Sequence, residues 1–240
     1  MVGGKKIVWS NEDFTILGSR NKYFSWRQDA VQNFENLGLD SGHCSYIRDF
    51  QILSIVGTFV SIQDLESIIC GIHSDFLHIE TFDLSKESDF ADRKSFTESA
   101  KTTLKDIFSK EVLFHGLLEN RKIKSFLRRN ASAPTDLDSL LRIIENEYNL
   151  RAAGDYALSS DLDSFAFYKR ADQGRIIVRL FLEPTSGYNA GSSKSLDIIL
   201  PITDDLLRKY PFFGADQIDN GFFLSDQNKI SQSRKTELRK

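Results

Sequence analysis

The chain has little cysteine, little proline, no long apolar run and no excess of charge of one sign, and each shortage removes a class of explanation. Two cysteines in 240 residues, Cys44 and Cys70, allow at most one disulfide, so the fold does not rest on a disulfide framework. A count of two also says nothing about redox compartment. Four prolines leave no Pro-rich linker, and no internal repeat is visible. The sequence therefore reads as one domain over residues 1–224 and a mobile polar tail over 225–240, which ends Arg234-Lys235-Thr236-Glu237-Leu238-Arg239-Lys240. The richest apolar stretch, residues 50–60, is broken by Gln51, Ser54 and Gly57 and falls short of the ~18 residues that cross a bilayer, so no transmembrane segment is expected. Lys5 and Lys6 are followed by Ser10, Asn11, Glu12 and Asp13, which no signal-peptide hydrophobic region would tolerate, so no export signal is expected in the chain as given. With 31 Lys and Arg against 34 Asp and Glu, the net charge of -3 supplies no global pull toward nucleic acid or anionic lipid.

What is present is ordinary globular material: 40% hydrophobic and 27% charged residues, enough to bury a core without staples. Residues 46–62 are rich in Ile, Val, Phe and Thr, and Ile68, Ile69, Phe76, Leu77, Ile79 and Phe82 follow, which predicts two or three long strands. Ile52, Ser54, Val56 and Thr58 alternate with the greasier Leu53, Ile55, Gly57 and Phe59, as in a sheet covered on one face. From Asp92 the period changes: Phe96, Ala100, Leu104 and Ile107, then Val112, Leu113, Leu117, Ile123, Phe126 and Leu127, recur at helical spacing. Pro134-Thr135 begins another helix with Leu137, Leu140, Leu141, Ile144 and Tyr148 as its apolar stripe. Strand chemistry returns at residues 164–168 and 175–182 around the turn Ala171-Asp172-Gln173-Gly174, and again at 195–200, before a short helix beginning at Thr203. Strands, then helices, then strands predict an α+β fold: an antiparallel sheet from the early and late thirds of the chain, covered by helices from the middle third.

Few constellations carry chemistry. His43-Cys44 and Cys70-Gly71-Ile72-His73 hold the residue types of a tetrahedral zinc site, but Cys-x-x-His is half a signature, and adjacent ligands reach one metal only from a turn. A Cys44–Cys70 disulfide is a second reading. A hairpin closing near Asp64 would set position 44 opposite ~84, so the bridge would need a bulge or a different pairing. No Gly-x-Ser-x-Gly elbow, P-loop or dinucleotide fingerprint is present, and Asp155, Asp161 and Asp163 lie in a run typical of solvated turn formers. Of the aromatics, 19 Phe and 7 Tyr, core packing explains most, while Tyr210-Pro211-Phe212-Phe213 could instead anchor a partner.

Four stretches, in order, resemble a known domain: Ile52-Leu53-Ser54 with Gly71-Ile72-His73; Thr81-Phe82-Asp83-Leu84 with Thr103-Leu104-Lys105-Asp106-Ile107-Phe108; the hairpin of residues 165–182; and Gly187-Tyr188-Asn189-Ala190-Gly191 with Ile199-Leu200-Pro201. Together they span about residues 46–210 and are similar to the C-terminal domain family of the RsiV anti-sigma factor and the PdaC peptidoglycan deacetylase. Cys70 stands where that family has glycine, Ile72 where it has alanine and Gly187 where it has proline.

The resemblance implies a non-catalytic, periplasmic or envelope binding module that recognises a lysozyme-like protein or a peptidoglycan-related component. It points to His73, Asp75, Tyr188, Asn189 and Gly191 as partner-binding residues in exposed connections of a rigid sheet. It implies no catalytic residue, no metal and no cofactor. Two other readings use the same residues differently: a cytoplasmic, immunity-type protein that masks a partner, and a zinc-dependent hydrolase using Cys44, Cys70 and His73. Oligomeric state is not written in the sequence.

Overall fold

A computed structural model of the chain describes residues 6–9, 13–17, 23–25, 45–69, 73–86, 100–129, 133–148, 162–171, 174–182, 185–186, 194–214 and 221–226. In chain order the strands and helices are β1 (Lys6–Trp9), β2 (Asp13–Leu17), β3 (Tyr23–Ser25), β4 (Ser45–Val56), β5 (Phe59–Ile69), β6 (His73–Asp83), α1 (Leu104–Ile107), α2 (Lys110–Glu119), α3 (Arg121–Leu127), α4 (Leu137–Glu147), β7 (Phe165–Ala171), β8 (Arg175–Phe181), β9 (Thr185–Ser186), β10 (Ser195–Pro201) and α5 (Asp204–Lys209). Short 3-10 turns follow at Pro211–Gly214 and Leu224–Asp226. The class is α+β, as expected: all pairings among the described strands are antiparallel, and α1 to α4 lie between the early and late strands in sequence.

The described strands are distributed over three sheets, ordered β1-β2-β3, β4-β5-β6-β9 and β10-β8-β7. Early and late chain meet directly in the second, where β9 pairs with β6, and at the free edge of β4, where the Ile55 N–H donates to the Phe222 carbonyl at 2.8 Å and the Phe222 N–H donates back at 2.9 Å. These additions occupy backbone donors and acceptors that an edge strand would otherwise present for pairing with other chains.

β4 and β5 turn at Gly57-Thr58, seven residues before the Asp64 position expected for the hairpin, and Asp64 itself sits mid-strand opposite Phe50. The signal was a lone glycine inside an apolar run. Gly57 has φ 61, the left-handed region that costs a side-chain-bearing residue ~1–2 kcal/mol, and that conformation is what reverses the chain.

The hydroxyl-bearing face of β4 is not solvated as its alternation implied. Ser54, Ser61 and Thr81 lie on one rung across β4, β5 and β6, and all three are fully buried. β7 packs over these three strands, and the rung is tied to it: Ser61 Oγ is 2.9 Å from Thr81 Oγ1, which donates to the Phe165 carbonyl of β7 at 2.6 Å. Burial of the Ser61 and Thr81 hydroxyls is tolerable because they are hydrogen-bonded, whereas the buried Ser54 hydroxyl has no hydrogen-bond partner among the described residues. The neighbouring rung Ile55, Val60 and Phe82 is buried as well, so the centre of this sheet is covered on both faces.

The main core lies between the β10-β8-β7 sheet and the helices. Ile176, Val178 and Leu180 alternate along β8, and Leu196, Ile198 and Leu200 along β10; all face Leu113 and Leu117 of α2, Ile123 and Phe126 of α3, and Leu140, Leu141 and Ile144 of α4. The helices start where short polar side chains cap them. Asp136 and Ser139 form a reciprocal capping box for α4, one residue later than the Thr135 start expected from Pro134, and Thr203 caps α5 as expected. Tyr210 and Phe213 are buried with Phe59 and Phe167 in one aromatic cluster, and Phe212 packs half-buried against it. That cluster is core, which removes Tyr210 and Phe213 as partner anchors.

Candidate recognition site

One end of the β4-β5-β6-β9 sheet carries His73 and Asp75, the two predicted partner-binding residues that lie among the described ones. Ser45 opens β4, Ile69 closes β5 and His73 opens β6, and register ties them rung by rung: Ser45 to Ile69, and Ile69 to His73. Asp75 lies two residues into β6, opposite Ser67. β9 completes the end, with Phe76 opposite Ser186 and Leu77 opposite Thr185. Because that pairing is antiparallel, the chain leaves Ser186 running in the direction of Asp75 and His73, and Tyr188 is two residues further on in sequence. Tyr188, Asn189 and Gly191 themselves lie outside the described residues, as do His43, Cys44, Cys70, Asp155 and Asp161.

A second feature was not anticipated: a cleft of about 570 Å3 bounded by the α2–α3 junction and by β8 and β10, with Asn120, Arg121, Lys122, Arg179, Asp197 and Ile199 among its lining residues. Asn120 organises it. Its side-chain oxygen caps α3 by accepting from the Lys122 and Ile123 N–H groups at 2.9 and 3.3 Å, while its amide donates to the Asp197 carbonyl of β10 at 2.7 Å. Gly116 permits the close approach of α2 to β10, since a Cβ there would lie 3.1 Å from the Ile199 carbonyl oxygen. On the floor, Arg179 makes a two-pronged pair with the Asp197 carboxylate at 2.7 and 2.9 Å, and its guanidinium lies 4.1 Å from the Tyr168 ring centre. The Asp197 hydrogen bonds raise the Arg179 pKa still further, so this cation is permanent and already neutralised by its partner. Arg179 and Asp197 were legible only as lone charges in aliphatic strands; their pairing needed the β8–β10 register, which sets them opposite each other.

The residues lining this cleft include no histidine or cysteine. The described histidines with side-chain placement lie elsewhere: His78 mid-β6 opposite Asp64, and His115 on α2 against the Phe114 ring. Among the described residues no three His, Cys, Asp or Glu side chains gather as metal ligands. Asp163, expected as a solvated turn former, instead binds Lys101 at 2.8 Å, and Lys101 also reaches Glu80 at 3.3 Å. Partial burial would lower the Lys101 pKa, but the two carboxylates outweigh it and raise it, which makes this cluster a clamp between β6 and the entry to β7 rather than a proton donor at neutral pH. No helix among the described residues is long and apolar enough to cross a membrane.

Comparison with known proteins returns no matching family model, no matching curated protein and no matching solved structure.

Proposed function

We propose that this chain is a non-catalytic binding module of the bacterial cell envelope, related to the C-terminal domain family of the RsiV and PdaC proteins, which recognises a lysozyme-like protein or a peptidoglycan-related component. The observation that carries the reading is the β6–β9 pairing. It aligns the strand that begins with His73 and Asp75 with the strand that leads to Tyr188, Asn189 and Gly191, two segments separated by more than a hundred residues in sequence. A composite surface at the end of a rigid sheet is a usual location for recognition residues, because the scaffold removes the entropy cost of ordering them on binding.

The test is direct binding of the purified chain to immobilised lysozyme and, separately, to insoluble peptidoglycan. Retention on one of them, weakened about tenfold or more by His73→Ala or Tyr188→Ala with unchanged thermal stability, is the expected result. Absence of retention on both, or retention that neither substitution weakens, would overturn the proposal.

A further inference from the structure

We infer that the cationic face of α3, with the cleft beside it, docks an acidic peptide segment of a partner protein in which carboxylates alternate with aliphatic residues. Five of the nine residues 121–129 are Lys or Arg, and no Asp or Glu occurs between Glu119 and Asp136, in a chain whose net charge is -3. Ile123 and Phe126 bury the opposite side of this helix, which leaves Arg121, Lys122, Lys124, Arg128 and Arg129 exposed. Arg129 is held by Glu147 at 2.9 Å. The other four make no ion pair with a described residue. Arg121, Lys124 and Arg128, at i, i+3 and i+7, fall on one stripe of the helix. The Asn120 side chain already accepts from the Lys122 and Ile123 N–H groups, so the attraction comes from side-chain charge and not from the helix end.

The cleft supplies the rest of the recognition. Arg121 and Lys122 line it with the acid Glu119, while Arg179 and Asp197 on its floor neutralise each other. Ile199 lines it too, and at 37% is the exposed large hydrophobic residue among the described ones. The Leu182 N–H donates to the Lys194 carbonyl and the Ile202 N–H to the Gly174 carbonyl, a register that turns the backbone groups of Asp197 and Ile199 away from β8 and toward the free edge. Asn120 occupies the Asp197 carbonyl, so an added β-strand would find that acceptor taken. The N–H groups of Asp197 and Ile199 donate to no described residue. Cations, spare donors and one apolar side chain together suit carboxylates set beside an aliphatic residue. Along the helix axis the cations extend only ~10 Å, at about 1.5 Å per residue. That length matches a few carboxylates rather than a long run of phosphates, and beyond a screening length of ~8 Å a polyanion meets a chain of net negative charge. None of these residues belongs to the β6–β9 alignment, so this is a second surface.

The experiment titrates the full-length chain into a short fluorescein-labelled peptide of alternating Glu and Leu, followed by fluorescence anisotropy at low and at physiological ionic strength. Saturable binding that weakens with salt, and that disappears when Gln replaces every Glu, is the expected result. Arg121→Glu should weaken it about tenfold and Ile199→Ser about threefold, with unchanged thermal midpoints. Arg142→Glu, an equal change of charge at an exposed position of α4 outside the cleft lining, should weaken it less than about twofold. No saturation below about 1 mM peptide, equal binding of the Gln peptide, or equal weakening by Arg121→Glu and Arg142→Glu would overturn the inference. So would tighter binding of oligothymidylate or of phosphatidylglycerol vesicles that Arg121→Glu abolishes, since the occupant would then be a nucleic acid or a membrane surface. Neither lysozyme nor peptidoglycan enters the assay, so failure of the proposed recognition leaves this test intact.

Discussion

The Phe212 ring lies over Gly57, in the space that a Cβ on this turn residue would occupy. The turn that starts β5 is thus held against the late aromatic segment: Phe212 in turn makes an edge contact with Phe59, ring centres 5.8 Å apart, two residues past Gly57. Backbone conformation and side-chain packing converge on one position, with φ 61 requiring glycine and the ring excluding anything larger.

Gly57→Ala should therefore be among the more destabilising single substitutions in the fold. The left-handed backbone alone costs ~1–2 kcal/mol with a Cβ present, and displacement of Phe212 adds to it. Urea unfolding of Gly57→Ala, Phe212→Ala and the double variant separates the two parts. The double variant should lose less than the sum of the single losses, because removing the ring relieves the clash. Strict additivity would show that Phe212 does not constrain the turn.

The hydroxyl rung gives a second test. Thr81→Val keeps shape and volume but leaves the buried Phe165 carbonyl without the donation it receives at 2.6 Å, which should cost ~1–3 kcal/mol. Thr81→Ser retains the donor and should recover most of that loss in the same unfolding assay. Equal stability of Thr81→Val and the parent chain would mean that the hydrogen bond contributes nothing net between β7 and the sheet beneath it.

These two positions also mark how far sequence reasoning reached. Periodicity located the helices and the late hairpin because Leu137, Leu140, Leu141 and Ile144, or Ile176, Val178 and Leu180, repeat at the spacing of one buried face. It misplaced the β4–β5 turn because β4 and β5 are both buried and apolar up to the reversal, so one glycine was the entire signal. It misread the face of Ser54 as the wetter one because local alternation does not reveal that β7 packs over that face of the sheet. For the candidate site, His73 and Asp75 were legible as positions, whereas their alignment with the chain at Ser186 is a long-range register that local pattern does not encode.

Asn120 serves two elements, and substitution can separate its roles. Asn120→Ala removes the α3 cap, about 1 kcal/mol by itself, and also the donor to the Asp197 carbonyl. Asn120→Asp keeps the capping acceptor but cannot donate, so it should be more stable than Asn120→Ala by roughly the capping contribution and less stable than the parent chain. Should Asn120→Asp equal the parent in urea midpoint, the bond to β10 would carry no weight and the cap alone would explain the residue.

Tyr210 offers a test with a defined pH window. Burial in the aromatic cluster pushes its phenol up to about 12, and the nearby carboxylates of Asp83 and Asp106 act in the same direction. The unfolded chain ionises this group near the ordinary ~10, so the folded state favours the neutral phenol. Its contribution to stability is therefore fully present below pH ~10 and is lost as pH rises from there through about 12. Tyr210→Phe retains the ring that meets Phe59 at 4.9 Å but has no proton to lose. Its unfolding midpoint should thus fall less steeply than that of the parent chain between roughly pH 10 and 12, while the two respond alike at neutral pH. Spectroscopic titration should show one tyrosine fewer ionising at the high end of the folded-state curve in the variant. Parallel stability profiles for the two proteins across that window would mean that the phenol titrates as freely in the fold as in the unfolded chain, and that the ring cluster around Phe59 leaves Tyr210 accessible to water.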